Sequence, residues 1–166
     1  MKRTDTSAWP CTIARSAAVL GDHWNLLIVR QACLGTRRFD DFQRELGIGR
    51  NILTTRLNLL VDEGILRRAA VDETSPRHEY RLTQKGREVY PILAAMAAWG
   101  DRWLTGPEGT PLVLHHTTCK HDMHAVVVCS ECDAALDVGD IRATAGPGYP
   151  GSRSPSAKRR SSAGRS

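Results

Sequence analysis

No run of 18 apolar residues occurs in the 166-residue chain, so nothing in it is long enough to cross a bilayer as a helix. The first ten residues, Met-Lys-Arg-Thr-Asp-Thr-Ser-Ala-Trp-Pro, have no apolar stretch and no small-residue cleavage site. That is not a secretory signal, so we expect a cytoplasmic protein without a membrane partner. Five cysteines, an odd number, argue against a disulfide framework and fit a compartment that keeps thiols reduced. There is no Gly-rich loop to cradle phosphates, and no nucleophile, base and orienting group stand at a recognisable spacing. Asp22 beside His23 is better read as a helix start. An enzyme is not expected.

Acidic residues are also missing where they would matter. The net charge is +5, but it is unevenly spread. Residues 1–104 carry 16 Lys and Arg against 12 Asp and Glu, a net +4, whereas residues 105–140 carry one Lys against six acids, a net −5. From 141 to 166 there are six basic residues and no acid. A basic body, a short acidic segment and a basic tail permit nucleic-acid binding without establishing it. From about Gly146 the chain is Gly, Ser, Pro, Ala and Arg, with almost nothing to bury, and a disordered tail is expected. Lys158, Arg159 and Arg160 would add only nonspecific attraction to phosphates.

Between Ile13 and Leu104 the apolar periodicity is mostly helical. A first helix ends at Gly21. A second is expected over 23–33, with Asp22 as N-cap and Gly35 as its stop. A third starts near Arg38, with Phe39, Phe42 and Leu46 on one side, and Gly47-Ile48-Gly49 makes a short turn into a fourth over 50–63 closed by Gly64. The pattern then changes. Residues 65–71 read as a strand, Asp72-Glu73-Thr74-Ser75-Pro76 is turn chemistry, and 78–82 alternates as a second strand. A last helix is expected from Thr83 to Leu104, with an apolar stripe of Ile92, Met96, Trp99 and Trp103 wider than one small domain needs. The predicted fold is mainly α with a small β-hairpin wing, a winged helix-turn-helix.

On the fourth helix Leu53, Leu57, Leu60 and Val61 fall within a sector of about 100° and must face the core. Asn51, Thr55 and Asn58 lie opposite, with Thr54 on the flank and Arg50 in front. That polar, uncharged face suits the major groove of double-stranded DNA, because Asn and Thr read base edges and Arg reaches guanine or phosphate. Arg37, Arg38 and Arg44 are placed over the phosphate backbone, where they set register without reading sequence. Arg77 and His78, beside the hairpin turn, suit a wing laid along the backbone. Asp40 and Asp41 complement the dipole of the third helix. Arg56 borders the apolar sector and could brace the domain or touch DNA.

Cys11 with Ile13-Ala14, Gly21-Asp22-His23-Trp24, Gly35-Thr36-Arg37-Arg38-Phe39, Asn51 to Leu57, Gly64-Ile65-Leu66, Pro76 to Tyr80 and Leu82-Thr83-Gln84-Lys85-Gly86 together resemble the HxlR-type winged-helix regulators over 11–104. The resemblance implies a homodimer joined through the first and last helices, with Ile13, Ile92, Met96, Trp99 and Trp103 in the interface. A single DNA-binding module buries only about 600–1,000 Å² on DNA, so two modules on a palindromic operator agree with that expectation. The resemblance also makes Cys11, just before the first helix, a candidate redox sensor. Cys33, among apolar residues, reads as inert core.

Residues 1–10 form an arm outside this resemblance, and 105–140 form a separate short segment ahead of the basic tail at 141–166. In that segment His116 and Cys119 are spaced H-x2-C, and after nine intervening residues Cys129 and Cys132 are spaced C-x2-C. Two tight ligand pairs joined by a short loop fit one structural zinc per chain in a ribbon-like unit. Residues 125–128 are expected to be a strand leading into the second pair. His115, His121 and His124 compete with His116 for the fourth position. The function expected is a DNA-binding transcription regulator, most simply a repressor. The alternatives are a protein-interaction adaptor and a zinc-responsive regulator using the ribbon.

Overall fold

A computed structural model describes residue 6 and residues 8–71 and 77–150; the turn at 72–76 and the Lys158–Arg160 cluster lie outside the described residues. Helix α1 (Thr12–Leu20) ends at Gly21, and α2 (His23–Cys33) begins at Asp22, whose carboxylate accepts the Trp24 N–H at 3.0 Å. Helix α3 (Phe39–Leu46) carries Asp40 and Asp41 in its first turn and ends on Gly47 at φ 61°, a left-handed position that costs glycine nothing. Ile48 drops into the core, and α4 (Arg50–Asp62) follows at once. Strands β1 (Leu66–Ala70) and β2 (His78–Leu82) pair antiparallel, Leu66 opposite Leu82 and Ala70 opposite His78.

Thr83 joins the wing to the helices. Its hydroxyl accepts the Gly86 N–H at 3.1 Å and donates to the Gly64 carbonyl at 2.6 Å. Gly86 must be glycine here, since a Cβ would stand 2.1 Å from the Ile65 carbonyl oxygen. The single last helix expected from Thr83 to Leu104 is divided into α5 (Gln84–Arg87) and α6 (Tyr90–Trp103). Pro91 is the reason: it has no N–H to give the Arg87 carbonyl, and its ring crowds that carbonyl.

The core gathers Ile28, Val29 and Ala32 of α2, Phe42 of α3, Leu53, Leu57 and Leu60 of α4, and Ile65, Leu66 and Tyr80 of the wing. Phe42 and Tyr80 meet edge to face at 6.4 Å. At about 1.5–3 kcal/mol for each large apolar side chain fully buried, this cluster is what fixes α4 against the rest. No helix among the described residues is long and apolar enough to cross a membrane.

Beyond α6 the chain continues as β3 (Leu114–His116) and β4 (His121–Met123), an antiparallel pair. The strand expected at 125–128 is not there. Val128 makes one isolated bridge, to Ala135, because only the short stretch from Ala134 to Leu136 comes back opposite it. Residues 141–150 are exposed throughout, and Gly146 to Pro150 lie beside Trp9 and Arg15.

Candidate nucleic-acid interface

Helix α4 presents the expected face. Leu53, Leu57 and Leu60 are wholly buried, Val61 half-buried, and Arg50, Asn51, Thr54, Thr55 and Asn58 all exposed. The two threonine hydroxyls donate to carbonyls one turn back, Thr54 to Arg50 and Thr55 to Asn51, each at 2.9 Å. Their oxygens keep acceptor capacity on the outer side. Arg50 lies over the Phe39 ring, 4.9 Å from its centroid, which aims the guanidinium alongside the helix-turn-helix rather than into it.

Three contacts whose partners the sequence did not name tie this helix, the wing and the entry to α3 together. Arg56 pairs with Asp22 at 2.7 Å, both side chains largely buried, so the residue that caps α2 also anchors α4. Arg68 of β1 donates to the Asn58 amide oxygen at 2.5 Å and ties the wing to the exposed face. The Tyr80 N–H donates to the Arg37 carbonyl at 2.8 Å and holds β2 against the entry to α3. Arg56 is therefore a brace, one of the two roles open to it from sequence.

The basic residues divide by what they already touch. Arg37 turns inward and donates to the carbonyls of Ala32 (2.6 Å) and Thr36 (3.0 Å). Arg44 is exposed but paired with Asp41 at 2.6 Å, with the Glu45 carboxylate at 3.6 Å. Arg38, at the N-cap of α3, has no carboxylate partner among the described residues. It borders a groove shared with Phe39, Asp40, Arg77 and His78, where the wing meets α3. His78 rests its ring on Tyr80, centroids 5.3 Å apart. Arg38, Arg77 and His78 thus share one groove with Asp40, and Arg50 over Phe39 sets the start of α4 beside it.

Behind this surface a polar cluster supports the α2–α3 corner. Glu45 accepts from the Thr36 hydroxyl (2.6 Å) and the Gln31 amide (2.7 Å), and these hydrogen bonds, the hydroxyl's first, hold its carboxyl below the usual range. Gln31 and Asn25 are buried in α2 although both are polar; Asn25 donates to the Val19 carbonyl at 2.6 Å and closes the end of α1. Burial pushes the Cys33 thiol up, with Arg37 partly opposing.

The faces expected from sequence to join two copies are bare. Helix α1 has no buried residue and Ile13 is 81% exposed; α6 buries only Ala94, while Ile92, Met96, Trp99 and Trp103 stand in the open. Cys11 is exposed at the N-cap of α1. In the extension, His116 Nδ1 lies 3.2 Å from Cys119 Sγ, and the Glu131 and Cys132 N–H groups, Glu131 first, hold the Cys129 thiol below its ordinary value. His115 is paired with Asp122 at 3.1 Å. The four expected ligands do not meet: among the described residues no three His, Cys, Asp or Glu side chains converge on one point.

Comparison with known proteins agrees with the geometry. The HxlR-like helix-turn-helix family matches residues 19–108. The uncharacterized HTH-type transcriptional regulator Rv3095 of Mycobacterium tuberculosis is 36% identical over 138 residues, 83% of this chain and 87% of its own. A match of that length must reach at least thirty residues past 108, so it takes in the extension. The crystal structure of PA1607, described as a putative transcription factor, superimposes with a TM-score of 0.78 at 34% identity, covering 85% of this chain and 99% of that one. The redox regulator HypR in its reduced form superimposes with a TM-score of 0.51 at 30% identity, over 57% of this chain and 96% of its own. With its helix-turn-helix, wing and these relatives, the chain belongs to the HxlR-like helix-turn-helix family, whose members are transcriptional regulators and not enzymes.

Proposed function

We propose that this regulator binds a palindromic DNA operator as a homodimer and represses transcription by occupying it. The observation that carries the reading is the exposed, uncharged face of Asn51, Thr55 and Asn58 on a helix whose opposite side buries Leu53, Leu57 and Leu60. A surface helix with no base to read would more commonly carry charge there, and charge is instead placed at the rim, where phosphates pass. The uncovered apolar faces of α1 and α6 supply a reason for a second copy, since exposed tryptophans and Ile13 gain most from mutual burial. Two such modules would read half-sites about one helical turn apart.

A change in the angle between protomers would pull one reading helix out of register with its half-site. Cys11 stands beside the proposed joining helix, and the similarity to a redox regulator supports a thiol-borne signal there.

Operator selection from random duplex DNA tests the reading. The expected result is a two-fold symmetric site, bound by a dimer in sedimentation, with affinity falling steeply as salt rises. Asn51→Ala with Thr55→Ala should abolish preference for that site and leave the dimer intact. Arg38→Ala should weaken all sequences alike and flatten the salt slope. A protein that selects no DNA, or keeps its selectivity without Asn51 and Thr55, would overturn the assignment of α4.

A further inference from the structure

We propose that His116, Cys119, Cys129 and Cys132 form a tetrahedral site for a zinc ion, one per chain, clamping together the tips of the two hairpins of the extension. The proposal does not depend on how α4 reads DNA.

The two tips are built alike. In the first, the Lys120 N–H donates to the His116 carbonyl at 2.8 Å; in the second, the Asp133 N–H donates to the Cys129 carbonyl at 3.0 Å. Each bond closes a five-residue turn with the two ligand-type residues at its first and fourth positions. Each turn ends on a non-glycine residue in the left-handed region, Lys120 at φ 64° and Asp133 at φ 58°, and no other non-glycine residue described has positive φ. Left-handed backbone is unfavourable for an L side chain. Its appearance twice, each time directly after a cysteine, marks two copies of one turn rather than two accidents. The turns do what a metal needs: His116 Nδ1 and Cys119 Sγ are 3.2 Å apart, and the Glu131 N–H points at Cys129 Sγ from 3.5 Å.

Each turn caps a hairpin. His116 opposite His121 closes the β3–β4 ladder, and the Cys129 N–H bonded to the Ala134 carbonyl at 2.9 Å closes the second hairpin, below which Val128 bridges Ala135. The register also separates His116 from His115. Neighbours on a strand face opposite ways, and His115 is held by Asp122 while His116 faces its cysteine. Three thiolates and one imidazole are a soft donor set that zinc takes in tetrahedral geometry, leaving no open position for chemistry.

Need as well as fit points to this site. No residue from 105 to 150 is buried, and ladders this short do not hold themselves together. No three of these side chains converge in this structure, so binding has to bring the two pairs together. Residues 124–127, outside any strand, are the segment that would bend.

The test uses the full chain, stripped with chelator under reducing conditions and titrated with cobalt(II) as an optical probe. We expect one equivalent to give the intense thiolate-to-metal and tetrahedral d–d absorption, and one equivalent of zinc(II) to bleach it. Cys119→Ser, Cys129→Ser, Cys132→Ser and His116→Ala should each weaken zinc binding more than about tenfold. Cys11→Ser, Cys33→Ser and His115→Ala should leave it unchanged. Should a variant fail to fold, wild-type thiol alkylation decides instead: zinc should shield three of the five thiols, and chelator should reopen the same three. Absence of a thiolate–cobalt band, a band that survives Cys129→Ser, or five thiols equally reactive with and without zinc would overturn the proposal.

Discussion

The winged domain and the extension are built on opposite terms. Every buried apolar side chain among the described residues lies between Ile28 and Ala94, whereas from 105 to 150 no residue is buried. In the first region α2, α3, α4 and the wing enclose one another, and the polar face of α4 is left exposed. In the second, Leu112, Val113, Val126 and Val127 stay exposed along a groove against α6, and nothing in the segment can enclose them. A core can be specified by apolar periodicity alone, while a segment too short to have one must draw on a metal ion or on another surface.

The sharpest way to break this comparison is to shave one side chain in each region. Leu57→Ala, at a fully buried position, should cost about 2–5 kcal/mol of stability. Val127→Ala, 55% exposed, should cost less than about 0.5 kcal/mol. Denaturant titration measures both, and equal losses would mean that the extension hides a core of its own. Next in size is Asp22→Ala, which removes the cap of α2 and the partner of Arg56; a loss of about 1–2 kcal/mol is expected in the same titration. A negligible loss would show that the brace behind α4 contributes nothing to the rigid half.

Smaller effects sharpen the contrast through protons. Because the folded pKa of Glu45 is lowered, its contribution is present above the unfolded carboxylate pKa and is lost as pH falls through the folded value. The Tm gap between wild type and Glu45→Gln should therefore narrow as the solution is acidified below the ordinary carboxylate range. A gap that stays constant with pH would detach Glu45 from the α2–α3 corner. The smallest effect concerns thiols: Cys33, half-buried and raised in pKa, should alkylate more slowly at neutral pH than exposed Cys11, as mass spectrometry of labelled peptides would record. Equal rates would mean that the α2 side of the domain opens readily.

Much of the domain was legible because its signals are local. Asp22 capping α2, Gly47 turning α3 into α4, Thr83 opening the last helical stretch and the alternation over His78–Leu82 act across a few residues, and each is found where the sequence placed it. The division of the last helix was legible too, in Pro91, but the apolar stripe running through it hid the break. Asn25 and Gln31 gave no warning: a polar residue in an amphipathic helix reads as surface, and only the neighbouring chain supplies the Val19 carbonyl and the Glu45 carboxylate that let them be buried.

By itself, then, the sequence determined the order of elements from α1 to the wing, the buried side of α4 and the residues on its outer face, since periodicity and capping are properties of consecutive residues. Tertiary structure alone decided which cations stay available. Arg37 turns into the domain, Arg56 closes on Asp22 thirty-four positions away, Arg68 holds Asn58, and Arg38 is left at the rim. Whether a guanidinium faces a carbonyl, a carboxylate or open water depends on how helices cross and how a hairpin lies against them, and those distances are set by the packed core rather than by spacing along the chain.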